Sequence, residues 1–338
     1  MPAPRFRTPT RTLARRAPFA VAAAVAALAL AGCTYGPPDT YDAPDIDAYP
    51  MTIDNCGTVV TLDRAPERIV TIKSSTLELL LALGLEDRIV GTAFSDGPVP
   101  DAYAEAAAGL EVLSDKVPSQ EVTLAAEPDL VFAGWESNLT AEGAGDRAAL
   151  EQLGVATYVA PAACREPGYM PDPLTFEEVF ADFEEAGSIF GVAPRAAELI
   201  ADQRAALASI TPSDDGLTAL WYSSGDDVPY VGGGIGAPQM IMDAAGLTNV
   251  AAEVHDSWTS MGWEAIVAAN PDVIVLVDAP WNTAESKIAK LEANPATAAL
   301  PAVAERRYLV VDFPSTEAGV RNVGAVASLV EQLGQLGY

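Results

Sequence analysis

The sequence predicts an α/β protein of two Rossmann-like lobes that face a cleft and are joined by a long interlobe helix acting as a stiff strut. Three observations predict it. The stretch Glu121-Val-Thr-Leu-Ala-Ala-Glu-Pro-Asp129-Leu-Val recurs 143 positions later as Glu264-Ala-Ile-Val-Ala-Ala-Asn-Pro-Asp272-Val-Ile, with Glu, both Ala, Pro and Asp in register. In each copy a short helix carries Leu124 or Val267 inward, Pro128 or Pro271 ends it, and an apolar run follows. That pattern reads as a helix feeding a buried parallel strand. Between the copies lie two helical runs rich in Glu, Ala and Leu, 174–190 and 194–210, with Pro194 placed to start the second. A stiff connection of this kind allows rocking of the lobes rather than wide hinge closure.

The remaining elements follow in chain order. Residues 58–62 alternate like a hairpin strand, and 68–72 form a buried strand. Ser75-Thr76-Leu77-Glu78 has the form of a capping box, opening a helix over 77–83 that Gly84 closes. Further strands are expected at 88–92, 130–134 and 156–160. The second lobe is expected to repeat the theme with strands at 217–222, 273–277 and 308–311, a helix over 239–245 and a final helix over 319–333. The expected division is a leader at 1–32, a tether at 33–50, lobes at 51–172 and 213–338, and interlobe helices at 173–212.

At the N-terminus Arg5, Arg7, Arg11, Arg15 and Arg16 precede an apolar run of 15 residues, 17–31, ending in Leu30-Ala31-Gly32-Cys33. The run is shorter than the ~20 apolar residues that span a bilayer, so it reads as a secretory signal. The segment 34–50, with Pro37, Pro38, Pro44 and several Asp, has little to bury and reads as a tether. Loss of the five arginines would leave 14 basic against 47 acidic residues, a net charge near −33. Such a surface repels nucleic acid and excludes a polynucleotide partner. Beyond Cys33 two cysteines remain, Cys56 and Cys164; in an oxidising compartment they are a candidate disulfide, and two buried free thiols are the alternative.

Leu30-Ala-Gly-Cys33 closely resembles a bacterial lipobox, which implies a lipid-bearing Cys33 and anchoring to the outer face of the cell membrane. Together with Arg68-Ile-Val-Thr-Ile-Lys-Ser-Ser-Thr-Leu-Glu-Leu-Leu-Leu-Ala-Leu-Gly84, the paired Pro-Asp units and the interlobe helices, it resembles a helical-backbone (class III) substrate-binding protein of an ABC importer. That group serves siderophores, haem and cobalamin, and a ferric siderophore is the alternative ligand, with haem or cobalamin beside it. Asp54-Asn-Cys-Gly57, Trp221-Tyr-Ser-Ser-Gly225, Gly236-Ala-Pro-Gln-Met-Ile-Met-Asp243 and Trp281-Asn-Thr-Ala-Glu285 are most similar to an actinobacterial subfamily assigned to coenzyme F420-0, a deazaflavin lacking its glutamate tail. The resemblance implies a monomer that hands a small ligand to permease and ATPase subunits, with no cofactor and no metal. It also implies that Glu121 and Glu264, one per lobe, dock onto permease arginines. The plainer reading is that each acid sits at a helix N-terminus and interacts with its dipole.

Ligand contacts are expected at the carboxyl ends of the strands, which face the crevice in open α/β sheets. Lys73-Ser74-Ser75-Thr76 offers amide donors, hydroxyls and one of four lysines, a combination suited to an anion. Trp135-Glu136-Ser137-Asn138 follows the strand 130–134 and Trp281 follows its duplicate, so two indoles are placed to hold a flat ring. Tyr222, Tyr230 and Trp258 are further aromatic candidates, and Arg321 is a candidate partner for an acidic group. Core packing or a solvated charge is the bland reading of each.

Enzymatic signatures are weak. Gly232-Gly-Gly-Ile-Gly-Ala237 fits a pyrophosphate-binding turn formally, but the preceding 226–231 carries Pro229 and no long apolar strand. No Gly-x-Ser-x-Gly or His-Glu-x-x-His is present, and the single histidine, His255, cannot build a usual zinc site.

Overall fold

The computed structural model describes residues 48–338. The expected leader, Cys33 and most of the tether lie outside the described residues.

The chain enters through an antiparallel hairpin, β1 (Met51–Asn55) and β2 (Thr58–Leu62), turned at Cys56-Gly57, where both residues have positive φ (52° and 77°). The first sheet contains β3 (Ile69–Ile72), β4 (Ile89–Ala93), β5 (Val112–Ser114), β6 (Leu130–Ala133) and β7 (Ala156–Val159). Their order is β5-β4-β3-β6-β7 and every pairing is parallel. β3 and β6 are buried along their whole length, so β6 reads as an unbroken apolar run and β3 as one interrupted only by Thr71.

The second sheet contains β8 (Thr218–Ser224), β9 (Tyr230–Gly232), β10 (Thr248–Asn249), β11 (Trp258–Ser260), β12 (Val273–Asp278) and β13 (Tyr308–Asp312). Its order is β11-β9-β8-β12-β13, with β10 alongside β8. β8, β10, β12 and β13 are parallel, whereas β9 runs antiparallel to both β8 and β11. The short strands β5, β9, β10 and β11 carry no periodic signal, and Pro229 immediately before β9 hides that strand.

The sequence repeat is a repeat of structure. β6 lies between β3 and β7 as β12 lies between β8 and β13. Glu127 and Asn270, 143 apart, both close their helix in the left-handed conformation, with φ of 50° and 46°. The Asp of each copy then ties its strand to the neighbour: Asp129 accepts from the Glu67 and Arg68 amides, and Asp272 from the Thr218 amide and hydroxyl.

The interlobe segment is two packed helices, Phe176–Ile189 and Ala193–Ser209, rather than one strut. Thr175 and Glu178 form a capping box at the start of the first. The two axes approach closely at Gly187, where an added Cβ would lie 2.4 Å from the Ala196 Cβ.

The capping box expected at Ser75 and Glu78 is not formed. The helix spans Ser74–Ala82 with Lys73 at its N-cap and no side-chain cap. Glu78 is buried and turns to the other lobe, where Arg321 donates to both of its carboxylate oxygens at 2.5 and 2.6 Å. A long-range ion pair has taken the residue that local capping would have used.

The candidate ligand cleft

The carboxyl ends of the parallel strands of both sheets open onto one cleft of about 1080 Å³. Phe94 follows β4, Trp135 follows β6 and Arg165 lies beyond β7. From the other lobe come Tyr230 on β9, Trp258 on β11, Trp281 after β12 and Phe313 after β13, and all seven line the cleft.

The expected contacts divide into two groups. Ser75, Trp135, Glu136, Ser137, Tyr230, Trp258 and Trp281 line the cleft. Lys73, Ser74, Thr76, Asn138, Tyr222 and Arg321 do not, because each is engaged inside the fold. The Ser74 hydroxyl accepts from the Asp96 amide at 2.9 Å, and the Thr76 hydroxyl donates to the Ile72 carbonyl at 3.0 Å. The Asn138 carboxamide oxygen accepts from the Trp135 amide at 3.0 Å, fixing the turn that presents the indole. Tyr222 is fully buried, donates to the Gly225 carbonyl at 2.7 Å and packs edge-on against Trp263. Arg321 is spent on Glu78, Asp312 and the Pro98 carbonyl.

Lys73 is the main correction. Its side chain is fully buried and its ammonium pairs with Asp96, with Glu317 of the second lobe 3.6 Å away. The Trp135 ring covers the ammonium at 3.5 Å, with Phe94 and Phe313 at 4.6 and 5.0 Å. The residue therefore supports the cleft floor from behind and is not a free cation for a ligand. Its backbone has φ 89°, a strained conformation for a non-glycine residue, held by the Lys73 amide bond to the Ala93 carbonyl at 3.0 Å and by the buried ion pair. Gly134 is required opposite it, since a Cβ there would lie 2.7 Å from the Lys73 Cβ.

Glu317 joins the two lobes at this floor. It accepts from the Trp135 indole N–H at 2.7 Å and lines the cleft. Burial pushes its carboxyl up to about 7, with Lys73 opposing and Asp96 reinforcing the shift. Burial likewise raises Asp96 above its usual range despite the pull of Lys73.

Trp281 is 61% exposed and leans edge-on against Phe313 with centroids 5.2 Å apart. Its loop is held by Lys287, a fully buried lysine whose ammonium donates to the Val277 and Asn282 carbonyls. Tyr230 and Trp258 stack 5.8 Å apart at 13° and form a flat wall. Burial raises the Tyr230 phenol, with Arg165 opposing and Asp256 adding to the effect. Phe94, Lys116, Arg165, Phe313 and Glu317 were absent from the sequence expectation. Phe94 and Phe313 obey the same strand-end rule that selects Trp135, whereas the role of Glu317 depends on a partner 182 positions away.

Cys56 and Cys164 are joined in a disulfide with Cα atoms 5.2 Å apart, pinning the loop before Arg165 to the hairpin turn. Glu121 and Glu264 are both exposed in the first turns of the helices Gln120–Ala125 and Trp263–Ala269. Each helix leads into a parallel strand, β6 or β12, and neither carboxylate lines the cleft.

The glycine run 232–236 packs against its own chain. An added Cβ would lie 2.1 Å from the Asp256 carbonyl at Gly233 and 2.0 Å from the Ala252 carbonyl at Gly234. Close backbone approach, not a phosphate, accounts for these glycines. His255 is exposed and lies 3.8 Å from Asp172. Among the described residues no cluster of three metal-ligating side chains occurs, and no helix is long and apolar enough to cross a membrane.

Residues 69–315 match the family model described as periplasmic binding protein. The uncharacterized ABC transporter substrate-binding lipoprotein YvrC of Bacillus subtilis is 28% identical over 330 residues, covering 94% of this chain and 97% of the relative. A cobalamin-binding protein of Halobacterium salinarum is 30% identical over 264 residues, 75% of this chain and 66% of the relative. Among solved structures, an ABC-type Fe3+-hydroxamate transport system protein from Saccharomonospora viridis superposes with a TM-score of 0.72 at 29% identity, covering 85% of this chain and 99% of that one. The first two of these relatives are named as binding proteins, and the two-lobed fold with its inter-lobe cleft agrees with them. The chain belongs to the periplasmic binding protein family and is a substrate-binding protein of the kind that serves ABC importers.

Proposed function

We propose that this protein delivers a flat, anion-bearing cofactor-sized ligand, the deazaflavin precursor F420-0, to an ABC importer. The observation that carries the reading is the cleft wall. Six aromatic side chains from both lobes surround a volume of about 1080 Å³, with the cations Lys116 and Arg165 among the lining residues. That volume is at the upper end for small-molecule pockets, too large to be filled by an amino acid or a simple sugar. The stacked Tyr230–Trp258 pair and the indole of Trp135 present π-faces and edges suited to a planar ring. The subfamily resemblance in 54–57, 221–225, 236–243 and 281–285 supports the deazaflavin.

A second reading, cobalamin, is favoured by the 30% identity to the cobalamin-binding protein of Halobacterium salinarum. Haem is favoured less, because an iron needs an axial His, Cys, Met or Tyr. Among the cleft-lining residues Tyr230 alone could serve, since Cys164 is tied in the disulfide. Titration of tryptophan fluorescence with F420-0, a corrinoid and ferric hydroxamate separates these readings. Saturation by the deazaflavin alone is the expected result; saturation by another ligand with no response to it overturns the assignment.

The same reading places Glu121 and Glu264 on the permease and a lipid on Cys33. Two or more acyl chains anchor a protein stably where one does not. Cys33→Ser should therefore release the protein from membranes, and unchanged retention would reject the anchor.

A further inference from the structure

We propose that Arg165 reads the anionic group of the ligand, and that Asp256 is the counter-ion it exchanges for that group. This rests on the reading above only in requiring a negatively charged ligand.

Four observations carry it. First, Arg165 is one of two cations lining the cleft, since Lys73 is buried behind Trp135 and neutralised by Asp96. Second, its backbone is fixed while its side chain is not: Cys164 beside it is tied to Cys56, and its amide donates to Glu136 at 2.7 Å. Third, the guanidinium makes a single end-on contact, Nη1 to Asp256 Oδ1 at 2.9 Å, out of five N–H donors. Arg147 and Arg321, by contrast, each make four hydrogen bonds and are structural. Fourth, Asp256 belongs to the opposite lobe and does not depend on Arg165. Its Oδ1 also accepts from the Ser257 amide at 2.7 Å, and its side chain is 43% exposed to water.

The exchange therefore strands neither partner. The half-exposed Arg165–Asp256 pair is weak because water screens it. An anion held on the same guanidinium against the Tyr230–Trp258 wall is better shielded and can engage two parallel donors. In a chain with 47 acidic and 19 basic residues, a cation with unspent donors at the cleft is what lets an anion enter at all. The pair also spans the two lobes, so its release accompanies loading.

The test compares affinities of wild type, Arg165→Ala, Arg165→Lys and Asp256→Asn for charged and neutral members of two ligand classes. The probes are F420-0 and the same deazaflavin without its phosphodiester, and an anionic ferric chelate and a neutral ferric hydroxamate. Whichever class binds wild type decides the ligand reading; the charged-to-neutral ratio within that class decides this one. Arg165→Ala should weaken the charged member about tenfold or more, and Arg165→Lys less, with neutral members changed less than about twofold. Asp256→Asn should tighten the charged member about threefold, because no counter-ion must be displaced. A purely structural ion pair predicts that both substitutions shift affinity in the same direction and for both members. That result, an unchanged ratio in Arg165→Ala, or failure of both charged probes to bind wild type overturns the proposal.

Discussion

Arg321 grips Glu78 with two hydrogen bonds of 2.5 and 2.6 Å across 243 residues of chain, joining the final helix of one lobe to the first helix of the other. The Glu78 side chain is 2% exposed and the Arg321 side chain 14%, and burial raises the Glu78 carboxyl even beside its partner. Removing one member of such a pair leaves a buried charge uncompensated. Arg321→Ala should cost about 3–5 kcal/mol in urea unfolding, and Arg321→Lys should not restore the loss because a lysine cannot make the bidentate contact. A change below about 1 kcal/mol, the range of surface pairs, would show that the lobes are held elsewhere.

The disulfide should add to stability by closing a long loop, an effect that grows with the logarithm of loop length. Cys56 and Cys164 are separated by 108 positions, and loops of that size contribute up to about 5 kcal/mol in the chain-entropy view. Thiol titration of denatured, unreduced protein should find neither of these cysteines free, and reduction should lower the midpoint of unfolding. Two titratable thiols from this pair would rule the bridge out.

Glu317 makes stability depend on pH. Its folded carboxyl is raised from 4.5 to about 7, so the folded state holds its proton more tightly than the unfolded chain does. The associated stabilisation is fully present below about 4.5 and is lost as pH rises through about 7. Asp182, pushed up to about 8 by burial and by Glu185 and Glu178, acts with the same sign. Urea midpoints of wild type should fall between pH 5 and 8, and Glu317→Gln should flatten that decline. An equal slope in the variant would place the titration elsewhere.

The docking proposal separates transport from binding. Glu121→Arg with Glu264→Arg should abolish uptake while ligand affinity stays within about twofold, since both side chains are exposed at the starts of their helices and neither lines the cleft. Joint loss of both activities would point to misfolding or to a part in binding.

The parts of this molecule legible in its sequence are those with short-range causes. The Pro-Asp repeat located β6, β12 and their helices because Pro128 and Pro271 act on the chain directly before them. Strand-end placement located Trp135 and Trp281 because it depends only on where a buried run stops. Lys73 was misplaced for the opposite reason. Its position after β3 is that of an anion-binding loop, but Asp96 pairs with it and Glu317 lies 3.6 Å away, and nothing local announces that pairing. Arg321 failed as a ligand candidate in the same way, through Glu78. Gly232–Gly236 fits a pyrophosphate-binding turn only formally, because glycine marks close approach without naming what approaches; here it is the backbone of 252–257.

The aromatic cleft between the lobes is proposed to hold a flat, anionic deazaflavin. Equilibrium titration of the purified protein with F420-0, followed by tryptophan quenching, tests it most directly. The expected result is saturable one-to-one binding, micromolar or tighter, that weakens in Trp135→Ala and Trp258→Ala. No binding of F420-0 by protein that saturates with a corrinoid or a ferric chelate would contradict it.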